Sequence, residues 1–172
     1  MENKTNEVVN QSTTELTAGE KFLTPDSFVK VQLPTGKWTR KMIYSGINTV
    51  PVPVTQEEKK TLFNILNGKD DSDAVVEAKR AVGTIFELED VIIQPYDKVN
   101  EDTGELEYGA VTYLFEKGNP KPFVTSSKSV YMTLKNLFVA FGVPRTDGYM
   151  PITVSIVERK GHEHKYIDLQ LV

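Results

Sequence analysis

The sequence predicts a mainly β fold, a β-barrel carrying one or two helices, and three observations point there. Apolar and polar residues alternate in short runs, most clearly Ile152, Val154 and Ile156 against Thr153 and Ser155, and Ile167, Leu169 and Leu171 against Tyr166, Asp168 and Gln170. Turn-forming residues punctuate these runs at Pro34-Thr35-Gly36, Asn100–Glu105, Lys117–Lys121 and Lys160–Glu163. One segment, Ser127–Phe141, carries a strong helical period: Val130, Leu134, Leu137, Phe138 and Phe141 form a single apolar stripe.

The elements follow in order. Residues 1–20 are polar and lack any aromatic side chain, so burial cannot offset the entropy of ordering them; they read as a disordered arm. Residues 21–172 read as one domain, with 21–82 an N-terminal hairpin and helical insertion and 83–172 the barrel core. Phe28–Leu33 and Lys37–Tyr44 pair across the Pro34-Thr35-Gly36 turn. Pro51 and Pro53 argue against a central strand there. Thr55-Gln56-Glu57-Glu58 is a capping box that opens a helix, with Leu62, Phe63 and Leu66 on one face and Gly68 at its end. Asp70–Asp73 is a loop, and Ala74–Val82 a short helix capped by Asp73. Thr84–Tyr96 and Tyr108–Glu116 are strands around the Asn100–Glu105 tip, and Pro122–Thr125 leads into the helix that Ser126 or Ser127 caps and Gly142 and Pro144 stop. Two final strands turn at Lys160–Glu163. The resulting order over residues 84–172, β-β-β-α-β-β, is that of an OB-fold, with the N-terminal hairpin added to it.

Composition narrows the function. The chain has 172 residues, 39% of them hydrophobic, 26% charged and none of them cysteine, so it can build a core but no disulfide, thiol nucleophile or thiolate metal site. No stretch approaches the roughly 18 apolar residues of a membrane span, and the start has no basic-then-apolar leader. We expect a cytoplasmic protein with no membrane partner. The net charge of −4 does not advertise nucleic acid, but it is uneven. Residues 1–108 hold 12 basic against 19 acidic side chains, whereas residues 109–172 hold 8 against 5. A local basic surface can act independently because screening confines each charge to roughly 10 Å.

Three groups combine cations with rings. The first is Lys30, Lys37, Arg40 and Lys41, interleaved with Phe28, Trp38 and Tyr44 and containing no acid. Single-stranded nucleic acid needs this combination: cations follow the phosphates and flat rings stack on unpaired bases. The same residues also suit an edge hairpin whose lysines blunt its edge. The second is Tyr113, Phe115, Lys117, Lys121 and Phe123, on the strands that form the usual OB binding face. Tyr113 and Phe115 could instead be core, with Leu114 outside. The third is Arg159, Lys160, Lys165 and Tyr166 at the last hairpin, an OB contact loop or a charged, solubilising tip.

Other chemistry is sparse. His162 and His164 are two metal ligands at most, and Asp70, Asp71 and Asp73 lack the glycine and terminal glutamate of a calcium loop. No G-x-S-x-G, P-loop or H-E-x-x-H motif is present. The reading is a binding protein, not an enzyme, with no cofactor, metal or small-molecule substrate. A hydrolase built on carboxylates and the histidine pair is a remote option that substituting His162 and His164 tests.

The run TYLFEKGNPKPFVTSSKSVYMTLKNLF, followed by ITVSIVERKGHEHKYIDLQLV, resembles the single-stranded DNA-binding proteins of Gram-positive phages with protein-primed replication. In both, an aromatic strand leads through a glycine turn to a serine-ending segment, then a helix, a β-branched strand, a basic glycine hairpin and a terminal Leu-Gln-Leu strand. Met1-Glu2-Asn3 is also similar, residues 47–82 look like an insertion, and no acidic tail follows the last strand. The resemblance implies an OB-like fold, sequence-independent binding of single-stranded DNA in phage or mobile-element replication or recombination, and Tyr113, Phe115 and Tyr166 as stacking residues. Self-association along the strand and a place in the host cytoplasm are further expectations. The alternative is a non-enzymatic protein-interaction module, a virion component or an inhibitor of a host protein.

Overall fold

One long strand organises the chain. The computed structural model describes residues 16–67 and 73–172, and its centre is β5 (Ile85–Val99). A bulge between Leu88 and Asp90 bends this strand, so that Ile85–Leu88 pair with β8 (Ile152–Lys160) and the remainder pairs with β6 (Leu106–Glu116). Asp90 holds the bend. It is buried, receives Arg145 Nε at 3.1 Å and a second guanidinium nitrogen at 2.7 Å, and accepts the Thr49 hydroxyl at 2.9 Å. The sheet extends through β7 (Phe123–Thr125) and β4 (Val76–Glu77) on one side and β9 (Lys165–Leu171) on the other. The short β3 (Ile47–Asn48) pairs with β5 as well. The sheet curls into an OB-like half-barrel with the β-β-β-α-β-β order expected for residues 84–172.

Inside it lie Phe86, Leu88, Val91, Ile93, Leu114, Phe123, Val154, Ile156 and Leu169, and α3 (Lys128–Phe141) packs Val130, Leu134, Leu137 and Phe138 onto them. This is the expected stripe, with Phe141 partly buried at its end. Gly142 stops the helix at φ +85, a left-handed value that favours glycine, and its N–H donates to the Phe138 carbonyl. Ser127 stands at the N-cap position but caps nothing; its hydroxyl donates instead to the Ile167 carbonyl on β9. On the same strand the Leu169 N–H donates to the Asp168 carboxylate at 2.8 Å, which Thr133 (2.7 Å) and Arg159 (2.8 Å) hold in place. The sheet path ends on β4 at one side and β9 at the other, leaving a seam between them.

The N-terminal segment departs from expectation. The arm was expected to run to residue 20, but α1 (Ala18–Leu23) begins two residues earlier, on a capping box in which Thr17 and Glu20 bond each other's backbone N–H at 2.7 and 3.2 Å. Its one aromatic residue decides the matter: Phe22 is fully buried against Tyr131 and Phe138. Residues 1–15 of that arm lie outside the described residues. With α1, the described residues form three α-helices rather than one or two. Next come β1 (Ser27–Gln32) and β2 (Trp38–Ile43), a separate antiparallel hairpin turning at Gly36, which has φ +81. One hydroxyl ties both ends of this hairpin down. Tyr131 Oη donates to Asp26 at 2.9 Å and accepts the Ser45 N–H at 2.9 Å. Lys135, only 8% exposed, bonds the same Asp26 carboxylate at 2.6 Å and the Thr24 carbonyl at 3.0 Å.

The capping box at Thr55 opens α2 (Gln56–Asn67) as expected, with Glu58 taking the Thr55 N–H at 2.9 Å and giving its own N–H to the Thr55 hydroxyl at 3.1 Å. The buried face differs: Ile65 is buried with Leu62 and Leu66 beside it, and Phe63 is 64% exposed. Gly68 and Asp70–Ser72 lie outside the described residues. Ala74–Val82 is not a helix. It forms β4 and a 3-10 turn at Ala78–Arg80, because Val76 and Glu77 pair in parallel with Phe123 and Val124; tertiary pairing overrides helix propensity.

Alkali tests this core. Burial pushes the Tyr131 and Tyr149 phenols up to about 12 from an ordinary 10.0. The unfolded chain therefore ionises first, and stability is expected to fall as pH rises from about 10 to about 12, by roughly 2–3 kcal/mol per phenol at most. Urea midpoints measured across that range should show the decline, and Tyr131→Phe should flatten it.

Candidate nucleic-acid interface

The ladder between β1 and β2 decides which side chains share a face. Phe28 pairs with Met42, Lys30 with Arg40 and Gln32 with Trp38; Phe28, Lys30, Gln32, Trp38 and Arg40 form the exposed outer surface of the hairpin, while Met42, at its base, is partly buried against the core. Trp38 is 66% exposed. The Arg40 guanidinium lies 4.7 Å from the centre of the exposed Phe28 ring, and Lys30, Trp38, Thr39 and Arg40 line a recess of about 450 Å³. Lys37 is exposed in the adjoining turn. The other two residues of this group do not join them. Lys41 pairs with Val29 on the opposite face, where its ammonium donates to the Leu106 carbonyl at 2.7 Å and faces Glu105 at 3.5 Å. Tyr44 is half-buried, its ring 4.8 Å from that of Tyr131.

The β6–β7 group is corrected more sharply. Tyr113 and Phe115 are 4% and 9% exposed, packed with Ile65, Val75 and Ile92 beneath α2. Leu114, on the other face of β6, is also buried, in the barrel interior, and Phe123 stacks there 5.0 Å from Phe86. Both faces of this sheet are covered, so Tyr113 and Phe115 are core as the alternative reading had them, Leu114 is not outside, and these rings do not meet solvent. Lys117 remains exposed, bonded to Glu87 at 2.8 Å, which raises its pKa. Lys121 lies half-buried in its turn.

At the last hairpin Arg159 stands opposite Tyr166 and Lys160 opposite Lys165. The Arg159 guanidinium is committed to Asp168, and Lys165 bonds Glu158 at 2.6 Å, which raises the lysine's pKa. The rims of the seam, with the start of α3, enclose a groove of about 810 Å³ in which Tyr166 and Lys165 meet Lys79, Lys128, Ser126, Ser129, Met132 and His164. Lys79 and Lys128 were missed in the sequence. The only local signal was the hydroxyl-rich Ser126-Ser127-Lys128-Ser129 run, and nothing local connects residue 79 to residue 165. Among the described residues no three His, Asp or Glu side chains gather as a metal site, and no helix is long and apolar enough to cross a membrane.

A comparison with curated proteins supplies the deciding observation. The chain is 38% identical over 146 residues to the single-stranded DNA-binding protein of Bacillus phage GA-1, and the alignment covers 84% of each chain. The chain belongs to the phage single-stranded DNA-binding protein family. No protein-family model matches it, and no solved structure does. The resemblance seen in residues 84–172 is thereby confirmed and extended. An alignment of 146 residues is longer than that stretch alone, so family likeness reaches back into the N-terminal hairpin and helical segment.

Proposed function

We propose that this chain binds single-stranded DNA without regard to sequence and covers replication or recombination intermediates of a phage or mobile element in the host cytoplasm. Binding is by charge and stacking, with no chemistry done on the DNA. The family relationship supports the ligand. The observation that carries the mode is the outer face of the β1–β2 hairpin, where an exposed indole and phenyl ring lie among Lys30, Lys37 and Arg40. Each base stacked on such a ring contributes about 1–3 kcal/mol whatever its identity. Self-association along a covered strand accompanies this reading.

Trp38 is the sole tryptophan, so its emission reports directly. Titration with poly-dT in low salt is expected to quench it, with weaker binding to duplex. Trp38→Ala, followed by gel shift, should lose roughly 5- to 150-fold in affinity, the equivalent of one stack. Lys30→Ala and Arg40→Ala should each reduce the slope of log affinity against log salt by about 0.7, one phosphate contact on a single strand. Binding that ignores salt would favour the protein-interaction reading, because an apolar protein interface releases few counterions. Binding with unchanged emission would move the site off the hairpin.

A further inference from the structure

We infer that the groove along the open seam of the barrel is a second site on this protein for the phosphodiester backbone of single-stranded DNA. It is lined separately from the hairpin face and rests on the proposed DNA-binding role. Three ammonium groups from three distant parts of the chain converge on it: Lys79 from the 3-10 turn, Lys128 from the first turn of α3 and Lys165 from β9. One acid, Glu158, lines it, and that carboxylate is bonded to Lys165. Lys79 has Glu77 at 3.2 Å and is still two-thirds exposed. The lining thus keeps a cationic surplus. Ammonium groups act as compact point charges that hold phosphates without demanding one geometry.

Shape and rings favour a polymer over an isolated anion. The groove continues into a recess of about 340 Å³ that shares Lys79, Ser126 and Ile167, passes Glu77, whose carboxylate is paired with Lys79 and Arg80, and runs on to Val111 and Val124. Ligand space is therefore elongated rather than closed. Tyr166 and Met132 give one wall an apolar, partly exposed surface against which a base can lie, and the Ser126 and Ser129 side chains stand beside the lysines. Cations, hydroxyl donors and a stacking ring side by side match a nucleotide chain better than an acidic peptide, which offers nothing to stack.

The test uses the full chain with Lys79, Lys128 and Lys165 all replaced by alanine, positions exposed enough that the melting temperature should not move. Two probes, dT6 and dT20, separate the sites. The hairpin alone is expected to hold dT6, so the variant's Trp38 quenching by dT6 should match the wild type. Binding of dT20 should weaken about tenfold or more, with a salt slope shallower by about 2, the loss of three phosphate contacts. Tyr166→Ala should likewise weaken dT20 and spare dT6. The inference is overturned if the variant binds dT20 with the wild-type slope, if dT6 and dT20 weaken equally, or if poly-glutamate displaces dT20 from the wild type at matched charge. Wild-type protein that binds neither oligonucleotide overturns the DNA-binding role too. Wild-type binding of both, lost on Trp38→Ala and unchanged in the triple variant, removes the groove alone.

Discussion

Asp26→Ala is expected to destabilise the protein by about 3–5 kcal/mol, the usual cost of leaving a buried charge without its partner. Lys135 is 8% exposed, and the Asp26 carboxylate at 2.6 Å is, among the described residues, the only acid bonded to its ammonium. The remaining contacts are the Thr24 carbonyl and the faces of Phe22 and Tyr131, at 5.3 and 5.5 Å. None of these neutralises the charge. The same substitution strips the acceptor from Tyr131 Oη and so frees one end of the β1–β2 hairpin. For a chain of this length the loss corresponds to a melting temperature roughly 10 °C lower. Adding Lys135→Met should recover most of the deficit, since an apolar side chain needs no counterion there. Urea unfolding at neutral pH decides: a midpoint for Asp26→Ala indistinguishable from wild type means the pair is not buried in solution.

Phe22→Ala is the second large effect, about 3–5 kcal/mol for deleting a fully buried ring. Its ring meets Tyr131 edge-on at 5.7 Å and Phe138 at 5.9 Å, so alanine leaves a void that α3 cannot close by rotamer changes alone. Because Phe22 and Asp26 both act on Tyr131 and Lys135, the double variant should lose less than the sum of the singles. Trypsin gives an independent readout. Lys21 lies on α1, and cleavage there should be slow in the wild type and rapid in Phe22→Ala. Equal cleavage rates would mean that α1 does not dock.

What could be read from the chain beforehand followed the range of the interactions involved. The capping boxes, the hairpin tips, the α3 stripe and the alternating terminal strands are local, and each was legible. Thr17 and Glu20 carry the same capping signature as Thr55 and Glu58, so α1 was visible too, hidden only by the polar composition before it. Lys41 could have been separated from Lys30 and Arg40 by counting alternate positions from the Gly36 turn. By contrast, the burial of Tyr113 and Phe115 follows from α2 settling on the sheet's outer side, a contact between residues some fifty positions apart. Alternation tells which residues share a side and is silent on whether that side is covered. The α2 face shows the same limit, since Leu62 and Leu66 can be completed by Phe63 or by Ile65, and only the surface beneath chooses.

The treatment of β9 carries a consequence for crowding. A last strand with bare amides is a template on which further copies can zip together, and the hazard grows with concentration. Here the Ser127 hydroxyl and the Asp168 carboxylate already occupy the Ile167 carbonyl and the Leu169 amide. With those two groups held by its own side chains, this part of the rim offers fewer free partners to the strand of a second copy.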